Sequence, residues 1–381
     1  MKWLSLLVSS LQAASTWLHF HTTEFKPFWK LTIVVVEFGH YLGVMSFVIF
    51  LLALVKIRKN WRSYWSLSAI LSLYASAIFF LPSIRLATNF PRWQSQLEAA
   101  FGKIDNQQPA ALSLKKLYLG EDAAVKAETL EFAEKSGENL FLDFYHAKSK
   151  ETAPWVLVIH GGGWNSGERT QLAELNSILA EGGIAVATID YRLAPKSQWP
   201  AQKEDVESAV NFLKSHATQL GIDPTRWVIL GRSAGGQIAE SFAYASNDTS
   251  LKGCISFYAP SDMNFAYRFA REDDILRSRS LIRDYLGGDP VQARANFDAT
   301  STLNFVRPGI VPTLLLHGPL DSLVWVKHSE RLIAKLQAAK VPSAYIEIPW
   351  ATHGFDYNIT GPSGQLSTFA IRYFLHRVFR N

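Results

Sequence analysis

The chain has 381 residues, a formal net charge of +5, 48% hydrophobic residues and a single cysteine. Its length exceeds the roughly 250–300 residues at which one hydrophobic core stops growing, so two units are expected. The lone Cys254 excludes an intrachain disulfide and a cysteine-rich metal site. Basic residues are dispersed along the chain without a Lys/Arg block or interleaved aromatic platform, which argues against nucleic acid as a partner.

Residues 1–90 read as a membrane-anchoring helical segment facing a lipid bilayer. Residues 3–20 are apolar, but Gln12 and His19 leave them unassigned among a signal peptide, an interfacial helix and a further span. Residues 31–55 exceed the ~20 apolar residues needed to cross the hydrocarbon core. Residues 65–84 form a second candidate span with no charged side chain, and Trp61, Tyr64 and Trp65 stand at its entry, where aromatic rings favour the interface. Between the spans, Lys56 to Arg62 carries four positive charges in seven residues. The positive-inside rule places that turn in the cytoplasm and the rest of an integral membrane protein, including its catalytic domain, on the extracytoplasmic side. Glu37 and His40 lie three apart on one helical face; the reading taken is that the span starts near Tyr41 and leaves both at the interface.

Residues 91–124 read as a linker with a cap helix. Trp93, Leu97, Ala100 and Phe101 have helical spacing, suited to the membrane surface or to a cover over an active site. From residue 125 the pattern changes. Ala127 to Tyr145 gives two β-like runs around a hairpin turn at Lys135 to Asn139. Strands are then expected at Trp155–Ile159, Ile184–Ile189, Trp227–Leu230, Cys254–Tyr258, Thr313–Leu316 and Ala344–Ile348. Helices are expected at Thr170–Gly182, Ala201–Leu220, from Ser233, and at Gln365–Phe379. All-apolar strands alternating with amphipathic helices imply an α/β fold, a mostly parallel sheet covered on both faces. Residues 261–308 interrupt the alternation with charged sequence and read as a lid insertion of short helices.

The chemistry concentrates after the strands. Gly231-Arg232-Ser233-Ala234-Gly235 follows Trp227–Leu230 and matches the Gly-x-Ser-x-Gly strand-to-helix elbow, in which a tight turn lifts the serine hydroxyl above the sheet. His160-Gly161-Gly162-Gly163 follows another core strand, where bare backbone amides of Gly162 and Gly163, with that of Ala234, can serve as an oxyanion hole. The triad order in such a fold is Ser, acid, His. Asp321, on the loop after Thr313–Leu316, is the candidate acid. Of the later histidines, His328 and His376 fall in expected helices, whereas His353 follows the last strand and is the candidate base. His317 reads as a strand-end residue. The catalytic candidates are therefore Ser233, Asp321 and His353, and no cofactor or metal is expected.

These motifs resemble the hormone-sensitive-lipase-like carboxylesterase branch of the α/β-hydrolase superfamily over residues 125–381. Asp190-Tyr191-Arg192-Leu193-Ala194-Pro195, Pro200 and Glu204-Asp205 add to the resemblance. Asp190, Arg192 and Glu204 or Asp205 are read as bracing loops by ion pairs. The resemblance implies an α/β-hydrolase fold in which Gly162, Gly163 and Ala234 form the oxyanion hole. Two features depart from it. Arg232 stands where the family often has an acid, and the 261–308 insertion is more similar to the lid of feruloyl-esterase and kynurenine-formamidase relatives. The expected function is a membrane-anchored serine esterase, a carboxylic-ester hydrolase acting through an acyl-enzyme on small or medium hydrophobic esters. The alternatives are an acyltransferase or amidase with the same triad, and a non-catalytic ligand-binding scaffold.

Overall fold

A computed structural model describes residues 2–57, 64–104, 112–121, 124–149 and 151–380. Helices come first: α1 Lys2–Ser15, α2 Lys26–Glu37, α3 Gly39–Ile57, α4 Tyr64–Phe101 and the short α5 Leu114–Leu119. Pro27 starts α2, where a missing backbone N–H has no cost. Phe38 ends it out of helical geometry, so the single expected span at 31–55 is corrected to two helices with a break between Glu37 and Gly39. The segment at 3–20 is a helix against α4, with the Ser9 hydroxyl 2.8 Å from those of both Ser68 and Ser72.

Helices α3 and α4 are long and apolar enough to cross a membrane. Phe47, Val48, Leu51 and Leu52 of α3, and Leu67, Ile70 and Leu73 of α4, are exposed. Most of the basic turn, residues 58–62, lies outside the described residues. The expected second span and the separate cap helix at Trp93–Lys103 are one element in the structure: α4 runs 38 residues through Pro82 and Pro91. At 1.5 Å per residue it is ~57 Å long, well beyond a hydrocarbon core of ~30 Å. Its second half is therefore a helix of the folded domain. Leu86, Phe90, Trp93, Leu97 and Phe101 are buried in the core of the sheet domain, and that burial outweighs the ~3 kcal/mol each interior proline costs. The reading of Trp93 to Lys103 as part of a linker-cap is corrected accordingly: the Trp93 indole N–H donates to the Glu347 carbonyl at 3.1 Å, and its ring meets that of Trp350 edge-on at 6.0 Å.

The sheet strands are β1 Glu128–Lys135, β2 Glu138–Tyr145, β3 Ala153–Ile159, β4 Ala185–Ile189, β5 Ile222–Arg232, β6 Leu251–Phe257, β7 Thr313–His317 and β8 Ser343–Glu347. They pair in the order β1-β2-β4-β3-β5-β6-β7-β8, with β2 antiparallel to β1 and β4 and the rest parallel. The β1–β2 turn is tighter than the expected five residues, with Ser136 and Gly137 both at positive φ as a two-residue hairpin requires.

The crossovers are α6 Ala173–Glu181, α7 Ala201–Ser215 with α8 Ala217–Leu220, α9 Ala234–Ala245, α13 Lys327–Ala338 and the closing α14 Pro362–Val378; the insertion supplies α10 Met263–Phe269, α11 Ser278–Leu286 and α12 Arg294–Thr300. Strand residues alternate between two cores. Trp155, Leu157 and Ile159 of β3 face the first, with Trp155 stacked on Trp227 at 4.9 Å. Val156 and Val158 face the second, beneath α14, α6 and the lower half of α4. That packing is measurable: Leu97→Ala should lower unfolding stability in detergent by about 2–5 kcal/mol, whereas Leu52→Ala, on the exposed face of α3, should stay within about 0.5 kcal/mol. Equal effects would contradict it.

Candidate active site

Ser233 joins β5 to α9 at φ 54° and ψ −119°, a conformation that side chains other than glycine rarely adopt. Its neighbours explain how it is held. A Cβ at Gly231 would sit 2.1 Å from the Gly235 carbonyl oxygen, and one at Gly235 would sit 2.3 Å from that of His160, so both positions must lack one. The strain points the hydroxyl out of the sheet. There the His353 Nε2 lies 2.9 Å from Ser233 Oγ, and His353 Nδ1 lies 2.7 Å from Asp321 Oδ2. The three candidates are brought together in the order acid, base, hydroxyl, which sets His353 to donate from Nδ1 and accept from the serine at Nε2.

Asp321 is gripped from every side. Its Oδ1 accepts the amides of Leu323 and Val324, each at 2.8 Å. Its Oδ2 accepts from His353 and also from His317 Nε2 at 3.0 Å. Burial pushes the carboxyl up, but the charge of His353 and the hydrogen bonds from His317 and His353 outweigh it and hold it well below the usual carboxylate range. His317 is therefore more than a strand end. Its Nε2 also faces the Val324 carbonyl, so that nitrogen carries the proton and Ser329 donates to Nδ1 at 2.8 Å.

Beside the hydroxyl, Gly162 sits at φ 122°, where an added Cβ would meet the Ser166 carbonyl at 2.0 Å. Among the described residues, the amides of Gly162, Gly163 and Ala234 have no hydrogen-bond acceptor, which leaves three donors near Ser233 for an incoming oxygen. Of the other histidines, His328 is buried in α13 and its pKa is lowered to about 3, chiefly by burial, while His376 lies on α14. Arg192 braces Asp205 at 2.9 Å and Glu204 at 3.0 Å; Asp190 instead takes Arg169 at 2.5 Å. Among the described residues no cluster of three His, Cys, Asp or Glu side chains is arranged for a metal ion.

The sequence reading noted Arg232 but passed over three residues around it and the base, Asp356, Tyr258 and Trp29. Arg232 is buried and its Nε donates to Asp356 at 2.5 Å, while the Tyr258 hydroxyl donates to the other Asp356 oxygen at 2.5 Å. The Tyr258 ring centroid lies 4.4 Å from that of His353. The third is Trp29 of α2, whose indole N–H donates to the His353 carbonyl at 3.0 Å. The helix over the site is thus α2. Opposite it stands the insertion, tied down where Tyr285 and Trp164 stack at 4.5 Å and both donate to the Gln237 amide oxygen at 3.0 and 3.1 Å.

The sequence signature of the BD-FAE family matches residues 142–336, about half of the chain. Curated relatives include the probable carboxylic ester hydrolase LipM of Mycobacterium tuberculosis, 31% identical over 246 residues, covering 60% of this chain and 55% of LipM. Esterase LipC of the same organism is 28% identical over 262 residues, covering 63% of this chain and 62% of LipC. The chain thus spans less than two thirds of either relative. Similar solved structures include a truncated carbohydrate esterase from gut microbiota, with a TM-score of 0.54 at 20% identity over 66% of this chain and 97% of that one. Another is a thermophilic esterase from Thermogutta terrifontis, with a TM-score of 0.51 at 22% identity over 68% and 93%. At such identities the structures show a shared α/β-hydrolase fold.

Beneath the nucleophile, Glu240 of α9 is buried and its pKa is raised to about 7, first by burial, against hydrogen bonds from Ser256, Ser261 and Thr302. The Ser256 hydroxyl donates to one Glu240 oxygen at 2.6 Å and the Thr302 hydroxyl to the other at 2.9 Å, though the single Thr302 proton is shared with the Ser261 carbonyl at 2.8 Å. An unfolded glutamate ionises near pH 4.5, whereas the folded one holds its proton to about 7, so stability should fall as pH rises between those values and level off above. Glu240→Gln keeps both bonds without the proton. It should match the native chain near pH 4 and exceed it at pH 8 by up to ~3 kcal/mol in denaturant unfolding; a difference independent of pH would refute the assignment.

Proposed function

Because the chain belongs to the BD-FAE family, in the carboxylesterase branch of the α/β-hydrolases, we propose that it is a membrane-anchored serine hydrolase of small or medium hydrophobic carboxylic esters. The observation that carries the reading is the continuous chain Asp321–His353–Ser233 beside three free amides. As His353 Nε2 takes its proton, Ser233 Oγ attacks the acyl carbon and the carbonyl oxygen becomes an oxyanion within reach of Gly162, Gly163 and Ala234. His353 then returns the proton to the alcohol oxygen as the acyl–oxygen bond breaks. Water, activated in turn by His353, releases the acid from Ser233. The negative charge of Asp321 stabilises the imidazolium at each stage.

The names of LipM and LipC and of the esterase structures support ester substrates. Support for the anchor comes from the two apolar helices and their outward side chains. Both ends of that hairpin meet the hydrolase: Glu37 accepts from the Ser363 hydroxyl at 2.6 Å, and Phe90 packs on Phe369 at 4.7 Å. The basic turn then belongs at the other membrane surface, and the positive-inside rule assigns it to the cytoplasm and the catalytic domain to the extracytoplasmic side.

Detergent-solubilised protein should hydrolyse p-nitrophenyl esters of short to medium chain and react at Ser233 with a fluorophosphonate. Ser233→Ala should abolish both, and Asp321→Asn should cost ~10⁴-fold in kcat, because the imidazole loses the partner that fixes its tautomer. Retained turnover in Ser233→Ala would sink the mechanism. For topology, Asn139→Cys in intact cells should react with a membrane-impermeant maleimide and Asn60→Cys should not; the reverse pattern would invert the orientation.

A further inference from the structure

Ser233 and Gly163 lie where two cavities meet. The smaller, about 410 Å³, runs under the insertion past Ala234, Pro260, Phe265 and Ile282. The larger, about 800 Å³, contains His353, Tyr258 and Tyr357. In the hydrolytic reading, on which this inference rests, the alcohol oxygen must reach the imidazole that protonates it. His353 lines the larger cavity and is not part of the smaller, so the alcohol portion belongs in the larger and the acyl group in the smaller.

One wall of the larger cavity comes from α2: Lys26, Trp29, Lys30 and Ile33, at the 3–4–7 spacing of a single helix face. That wall is fixed in place. Trp29 is bonded to the His353 carbonyl at 3.0 Å, a Cβ at Gly354 would lie 3.6 Å from Ile33 Cδ1, and Glu37 holds Ser363 at 2.6 Å. The other face of the helix presents exposed Phe28, Leu31 and Val34, which suits a bilayer surface and places the cavity mouth beside it.

The charge on this wall is one-sided. Among the described residues no carboxylate lines the larger cavity, and Arg232 there is already neutralised by Asp356. Lys26 and Lys30 have no acidic partner among the described residues, because Glu24 nearby pairs with Arg271. The smaller cavity, in contrast, carries Glu24, Arg271, Asp274 and Asp321 together. We propose that the α2 wall is an alcohol-side subsite and that Lys26 and Lys30 select carboxylic esters whose alcohol portion bears an anionic group, with phosphate the chemistry that fits two ammonium groups.

The full-length detergent-solubilised protein would be tested on two esters that differ only by that group, 1-decanoylglycerol and 1-decanoylglycerol 3-phosphate, each below its micelle concentration. At low ionic strength kcat/KM should favour the phosphate ester by about fivefold or more, and the preference should shrink in 0.5 M NaCl. The ratio should fall to about one in Lys26→Gln/Lys30→Gln and below one in Lys30→Glu. Because it is a ratio within one protein sample, a poorly folded variant does not imitate the result. A second arm offers the oleoyl phosphate ester in phosphatidylcholine vesicles to reconstituted protein. Turnover there identifies a bilayer lipid, and turnover of the dispersed short-chain ester alone identifies a soluble phosphate ester; both support the subsite. A wild-type ratio near one, or the same ratio in the double variant, overturns it while leaving the hydrolase intact. Failure to turn over even p-nitrophenyl butyrate would bring down the hydrolytic reading, and this subsite with it.

Discussion

Three backbone segments meet at the turn that carries Ser233 more closely than side chains would permit. The carbonyls of Gly235 and His160 occupy the space where Cβ atoms of Gly231 and Gly235 would stand, and the chain at Ser233 is forced to φ 54°. The rest of the site depends on this contact. In the sheet, Ile159 of β3 is in register with Gly231 of β5, so the glycine run after one strand and the elbow after the other emerge side by side. The Ser233 amide bonds to the Phe257 carbonyl of β6 at 2.9 Å, while Asp321 and His353 arrive from the loops after β7 and β8. Four of five neighbouring parallel strands, β3, β5, β7 and β8, therefore deliver the candidate oxyanion donors, hydroxyl, acid and base to one edge of the sheet. The strain at Ser233 persists because the surrounding register leaves it no alternative.

The second constraint is the seam between the apolar helices and the hydrolase core. It is built from both apolar burial and specific polar bonds. Leu97 and Phe101 enter the same core as Phe374, and Glu37, buried at the break between α2 and α3, accepts the Ser363 hydroxyl. The Asn358 amide donates to the Glu37 carbonyl at 2.9 Å, and Trp29 reaches the loop of the base itself. A buried carboxyl left without such partners would cost roughly 1–3 kcal/mol, so the seam has one preferred docking geometry. The helices at the N-terminal end accordingly form part of the framework of the candidate site.

The strands, the elbow and the meeting of Ser233, His353 and Asp321 were legible in sequence because their signals are local: an apolar run, a glycine spacing, a histidine after the last strand. Residues whose role depends on distant partners could not. Glu37 read as interfacial, but its partner Ser363 lies 326 residues away. Asp356 was not singled out, because its partner Arg232 lies 124 residues earlier. Trp93 to Lys103 read as a helix separate from the span at 65–84; only the buried face of α4 against β8 and α14 makes one helix through Pro82 and Pro91 the better solution. His317 was legible as a strand end, while its bond to Asp321 depends on the turn that brings residue 321 back over it.

Two buried carboxylates flank His353, and their surroundings explain why one can serve as its partner and the other cannot. Asp321 presents Oδ2 to Nδ1 at 2.7 Å and is surrounded by donors, two amides and His317, that do not carry a fixed positive charge. Its negative charge therefore remains available to an imidazolium. Asp356 is saturated by the Arg232 guanidinium and the Tyr258 hydroxyl, and Tyr258 stands between it and the imidazole. The guanidinium cancels most of its field at His353, so protonating the base gains little from that side. Arg232, the residue that departs from the acid often found before the nucleophile in this superfamily, thus acts with Asp356 as a neutral pair. An acid at 232 beside Asp356 would instead place two like charges in one buried site, so the basic residue before the nucleophile and the acid after the base are best understood as a single electrostatic unit.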